Sequence, residues 1–149
     1  MLKEVLVFLH VLTAAAWFGM ALRLSKQARK ASSLDGAAAA ALADEAVESV
    51  RLVGIFILLT FAFAMGILVL GGGYAGEIQY HVASMLIFVL VILHYVVVQP
   101  AAKSLRTAVE TGSDKVSPQR RVVIAGGIGH LLWVVILGLM FWNRFAGVT

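Results

Sequence analysis

Four stretches of the chain carry no Asp, Glu, Lys or Arg: residues 5–22, 52–76, 78–102 and 122–143. Each approaches or exceeds the roughly 20 residues that a helix needs to cross a hydrocarbon core about 30 Å thick. Lipid offers backbone groups no partners, so a spanning segment is a helix or part of a closed barrel. The apolar positions run on continuously instead of alternating over about ten residues, which selects helices. The pattern predicts one domain over residues 1–149, with helices over about 4–23, 49–70, 79–100 and 120–143. The fold class expected is all-α, an integral membrane four-helix bundle. Gly71, Gly72 and Gly73 end the second helix, and residues 71–79 read as a short turn. The Ala-rich stretch 37–42 is a strong helix former that Asp35 can cap, so the second helix should begin well outside the membrane. Residues 116–121, with Pro118, should start the fourth helix. The first apolar run shares a weakly basic start and the small residues Ala14, Ala15 and Ala16 with signal peptides, yet it is read as a transmembrane helix.

Composition supports the membrane reading. The 149 residues are 61% hydrophobic and 13% charged, where soluble domains are about 45–50% apolar and about 25% charged. A globule this small cannot hide such an excess from water. The charges then set an orientation. Arg23, Lys26, Arg29, Lys30 and Arg51 follow the first helix, and Lys103, Arg106, Lys115, Arg120 and Arg121 follow the third. Basic loops stay in the cytoplasm, which puts both termini and the Gly-rich turn on the outer side of a prokaryotic cytoplasmic (inner) membrane. The net charge of +4 therefore reports topology, and no nucleic-acid partner is expected.

The chain has no Cys. Disulfides, thiolate zinc sites, iron–sulfur clusters and c-type haem attachment are excluded, and the four His become the candidates for chemistry. Measured from the middle of each run, His10 lies roughly 5 Å to the outer side and His81 roughly 13 Å out. His94 and His130 lie roughly 6 and 4 Å toward the cytoplasm. Ionisable residues at such depth face the bundle interior and usually have a task, or else are neutral and bonded to a neighbouring helix. His81 sits at the interface, where water can satisfy it. The 13-residue step from His81 to His94 turns about 140° around the helix, so those two belong to different sites.

The neighbourhoods sharpen this. Gly126 and Gly127 lie one turn before His130 and leave room beside the helix, either for a flat group or for close helix packing. His10, Thr13, Ala14 and Trp17 share one stripe. Imidazoles without nearby carboxylates disfavour calcium and magnesium, and suit haem b, which needs only one or two axial His, or His with Met. Met20, Met65, Met85 and Met140 are further candidates for that second position, though Met in a helix is commonly core. Arg51, with Arg23 and Arg121, lies at the cytoplasmic boundary, where it can pair with propionates or snorkel to headgroups. His94 with His130 is the expected inner pair. His10 is the expected outer ligand, with His81, a Met or an open position opposite.

The run from His10 to Met20, with Trp17 seven residues after the His and Gly19 following, resembles the first helix of HemJ-type protoporphyrinogen oxidases. Tyr80-His81 and His94-Tyr95 are similar to the two His of that family's third helix. CopD-type copper-resistance membrane proteins share the His…Trp-x-Gly pattern. The resemblance implies a four-helix membrane protein that binds one or two haem b groups. Val82, Ala83 and Ser84 stand where HemJ-type proteins carry a Lys, and Gln119-Arg120-Arg121 where they carry an Arg…Asn-Glu-x-Pro pattern.

The function expected first is electron transfer or redox chemistry in the bilayer, with a quinone or a redox protein as partner. Protoporphyrinogen oxidation, copper handling, and a non-catalytic role in a respiratory complex are the alternatives. Weak small-xxx-small signals, Ala15/Gly19 and Ala62/Gly66, favour a homodimer or a larger assembly. Phosphate-binding, dinucleotide-binding and hydrolase motifs are absent from the sequence.

Overall fold

Each apolar run forms a helix, and at the basic end every helix continues past its run. The structure, a computed structural model, describes residues 1–70 and 77–142. Its four long helices are α1 (Leu2–Ser33), α2 (Gly36–Leu70), α3 (Ile78–Thr111) and α4 (Val116–Met140), all long and apolar enough to cross a membrane. Neighbours in sequence are neighbours in space, and α4 closes the ring against α1. The Gly-rich turn expected over 71–79 falls mostly outside the described residues; Glu77 precedes α3, which is already helical at Ile78.

The expected ends at 23 and 100 are corrected to Ser33 and Thr111. The hydrocarbon boundary limits the charge-free run, but it does not limit the helix. With its 35 residues, α2 is about 52 Å long at 1.5 Å per residue, well beyond the hydrocarbon thickness. The extensions are held by a core of their own. Ala28, Ala31, Ala43, Ala46, Ala101 and Ala102 are buried there with Leu24, Val50, Leu105 and Val122. Small side chains at helical spacing let the backbones approach closely. A second core, around Trp17, Ile57, Ile87, Leu90 and Ile136, fills the apolar half.

Polar contacts tie the extensions together. Gln27 Nε2 donates to Glu45 Oε1 at 2.8 Å, and Arg106 bridges Asp44 at 2.6 Å and Glu110 at 3.0 Å. Lys115 Nζ donates to the Leu34 carbonyl at 2.8 Å and to Asp35 Oδ1 at 2.6 Å. The two basic turns therefore sit side by side at one end of the bundle. Asp35, the expected cap of α2, is thus bonded to Lys115, whose hydrogen bond and charge hold its carboxyl below the usual carboxylate range. At the start of α4, Asp114 Oδ1 accepts the Val116 N–H at 2.9 Å. Pro118 follows in the first turn, where a missing N–H costs nothing. Helix α3 closes at Gly112, whose φ of 65° is left-handed, with the Ser113 N–H bonded back to the Ala108 carbonyl at 3.0 Å.

Within α3, His94–Val98 form a π-helical turn. The cause lies in Pro100. It has no N–H to offer the preceding turn, and the Gln99 N–H reaches back five residues to the His94 carbonyl. Local π adjustment is one way a membrane helix accommodates a proline. The wide turn keeps Leu90, His94 and Val98 all buried, although a regular helix would rotate successive four-residue steps off one face.

The outward faces are apolar. Phe8, Val11 and Leu12 on α1, Ile55 and Leu58 on α2, Phe88 and Ile92 on α3, and Leu131 and Val134 on α4 are all exposed. Such a continuous belt requires an apolar surrounding, and lipid is the surrounding that matches four helices of this length.

Candidate functional site

His10 is buried at the contact of α1 with α2, where its Nδ1 lies 3.0 Å from the Thr60 carbonyl oxygen. A carbonyl only accepts, so Nδ1 carries the proton, and Nε2 of the neutral ring is the nitrogen left with a free lone pair. The same second-shell arrangement orients imidazoles that bind metals. Two hydroxyls line the contact. Thr13 Oγ1 donates within α1, to the Leu9 carbonyl at 2.8 Å or the His10 carbonyl at 3.1 Å. Thr60 Oγ1 donates to Thr13 Oγ1 at 3.0 Å or to the Phe56 carbonyl at 2.7 Å.

His94 opens the π turn of α3 and is 4% exposed. Its ring faces the Val50 backbone carbonyl and rests against Gly54 of α2. A Cβ at position 54 would stand 2.8 Å from His94 Nε2 and 3.0 Å from the Tyr95 hydroxyl oxygen. Only glycine fits there. The buried His94 Nε2 has no hydrogen-bond partner.

His130, on α4, has the same orphan: its Nε2 is buried without a partner. Its ring meets Phe18 edge-on, with centroids 5.7 Å apart, and Phe18 stacks on Trp133 at 4.1 Å. His94 and His130 line one apolar cavity together with Trp17, Phe18, Leu90 and Gly126. All four helices contribute walls. Apart from Leu93, the half-exposed lining residues come from α1 and α4, so the mouth opens between those two helices. The enclosed part is small, about 40 Å³, whereas ligand pockets usually span about 300–1,000 Å³.

Four of the residues singled out from sequence therefore meet at one place: Trp17, His94, Gly126 and His130. Others stand elsewhere. His10 belongs to the α1–α2 contact, and His81 is exposed in the first turn of α3. Gly127 faces open space, and Arg51 is exposed outside the cavity lining. Gly126 lies close to α1, where a Cβ would stand 3.2 Å from Ser25 Oγ. Sequence reasoning missed Thr60 and Gly54. Thr60 had a signal, a hydroxyl within a long apolar run. Gly54 had only the general one, a residue without a side chain inside such a run. Among the described residues, no cluster of three or more His, Cys, Asp or Glu could hold a metal ion. Any metal here is held by one or two imidazoles and must bring its remaining ligands with it.

These features define the class: an all-helical membrane protein with four spanning-length helices and a His-lined cavity between them. No known family, curated protein or solved structure matches the chain.

Proposed function

We propose that the protein binds haem b within the bilayer and serves electron transfer there. In this reading both termini lie on the outer side of a prokaryotic cytoplasmic membrane, with the basic turns in the cytoplasm. The observation that carries the proposal is the pair of buried, partnerless Nε2 atoms of His94 and His130 on one apolar cavity. Leaving a buried polar atom unpaired costs about 1–3 kcal/mol, and coordination of iron removes that cost at both atoms. The donor set fits haem: two imidazoles, apolar aromatic walls and no carboxylate, for a metal whose porphyrin supplies the other four ligands. The enclosed space alone does not hold a macrocycle, so the group would also occupy the mouth between α1 and α4, beside Gly126 and Gly129. When bound, haem supplies one-electron chemistry. The chain's own residues orient the imidazoles, exclude water and present an apolar edge to a lipid-soluble partner such as a quinone. His10, with its Nδ1 proton fixed by Thr60, is the candidate for a second site on the outer side.

The resemblance to HemJ-type oxidases supports the same cofactor, and oxidation of protoporphyrinogen IX is the second activity to assay. A purely structural role is favoured by different observations: the His10–Thr60 bond and the close fit of His94 on Gly54 both satisfy helix packing without a cofactor. Haem content per chain separates the readings. Purified His94→Ala and His130→Ala should each lose most of the haem that the parent and His81→Ala retain. Equal haem in all four proteins would refute the inner pair.

A further inference from the structure

The turn between α3 and α4 encloses a second cleft, on the basic end of the bundle and away from the His-lined cavity. Lys103, Ser104 and Thr107 of α3 line it with Ser117 and Arg121 of α4. The level of the cleft follows from the sequence. Lys103 is the first charge after the apolar run 78–102, and Arg121 is the last before the run 122–143. Both cations therefore sit where the hydrocarbon ends and the phosphate layer begins.

The donors of the cleft are unspent. Among the described residues, Arg106 and Lys115 hold carboxylates, whereas Lys103 and Arg121 hold none. Neither the Ser104 nor the Thr107 hydroxyl is engaged in a hydrogen bond. The acidic side chain in the lining, Asp114, is already committed to the Val116 N–H and to Ser117, whose hydrogen bonds hold its carboxyl below the usual range. The result is a concave site with two unpaired cations and free hydroxyl donors at headgroup depth, which is the chemistry that recognises a phosphate oxyanion.

We propose that this cleft seats the phosphate of an acidic phospholipid of the cytoplasmic leaflet. Free phosphate shares that chemistry, but the position of the two cations at the ends of apolar runs selects the lipid. The inference rests on the membrane reading, whose own failure would appear separately, as release of the protein from membranes by alkaline extraction.

The test uses the full chain in detergent micelles doped with phosphatidylglycerol or with phosphatidylcholine of the same acyl chains, and reads retained lipid by native mass spectrometry. Phosphatidylglycerol should be retained in preference to phosphatidylcholine. The double variant K103Q/R121Q should bind it about 25-fold more weakly, at about fivefold per basic side chain near the surface. The control K26Q/R29Q removes the same charge from exposed positions of α1 and should bind as the parent does. All four positions are exposed, so the helical circular dichroism of both variants should be unchanged. Equal retention of the two lipids, equal loss in the two variants, or displacement of the lipid by millimolar inorganic phosphate would each overturn the proposal.

Discussion

A single methyl group probes how His94 is held. In Gly54→Ala the new Cβ would lie 2.8 Å from His94 Nε2, so the ring or α2 must shift. Overpacking of this kind costs about 1–3 kcal/mol. Thermal melts of the detergent-solubilised variant should show that loss. Gly127→Ala is the matched control, because its Cβ meets nothing within 4 Å. It should melt at or slightly above the parent, since glycine inside a helix costs about 0.5–1 kcal/mol relative to alanine. If both variants melt alike, the close approach of His94 to α2 is wrong. His10→Leu removes one hydrogen bond across the α1–α2 contact, a bond worth about 0.6 kcal/mol on average within membranes. Its melt should fall less than that of Gly54→Ala. At this scale the sequence was readable in part. Depth along each apolar run brought His94 and His130 to nearly the same level, and both line one cavity. The glycine that seats His94 was not readable, because its role depends on which residue of a helix 40 positions away lies opposite. Gly126 and Gly127 were equivalent as sequence, and only the rotation of α4 turns one toward α1 and the other outward.

At the scale of elements, the helix cores were visible as charge-free runs and the ends were not. Lys, Arg and Ala are good helix formers, so the helices continue wherever an inward face of small residues finds a partner. Pro100 was visible too, but not its consequence, a π turn that begins on His94. Pro100→Ala restores the missing donor and should let α3 relax toward regular α-helix. Hydrogen exchange should then show the amide of residue 100 protected, with His94 rotated relative to the cavity and any bound haem reduced. Unchanged haem content beside a protected amide at 100 would separate the π turn from the site. The Lys115–Asp35 contact makes a smaller prediction about pH. The folded-state pKa of Asp35 is depressed by Lys115, so its contribution is present above the ordinary carboxylate pKa and disappears as pH falls through the lowered value. Asp35 is fully exposed, and such pairs contribute little. Asp35→Asn should therefore leave the melting temperature nearly unchanged at pH 7 and abolish only the small acid-dependent part of the stability difference, as followed by melts between pH 6 and pH 3.

At the scale of the molecule, two cores divide the bundle, one of small residues among charged extensions and one of large residues within an apolar belt. The belt was legible from composition alone, because a chain this short and this hydrophobic has more apolar surface than it can bury. The small-residue core was not, since an Ala-rich stretch reads equally well as a solvated helix until its partners are known. The cavity lies near the junction of the two cores, with Leu24, Val98 and Ala125 from one and Trp17, Ile57 and Leu90 from the other. A group held there is shielded by large side chains on one side and lies within reach of the cytoplasmic surface on the other. The central claim is that the partnerless imidazoles in this cavity bind haem iron, and an optical spectrum of the purified protein, oxidised and then reduced with dithionite, tests it most directly. The account predicts a Soret band and, on reduction, the sharp α and β bands of low-spin haem b. A spectrum with no such bands, from folded protein supplied with haem during expression, would contradict it.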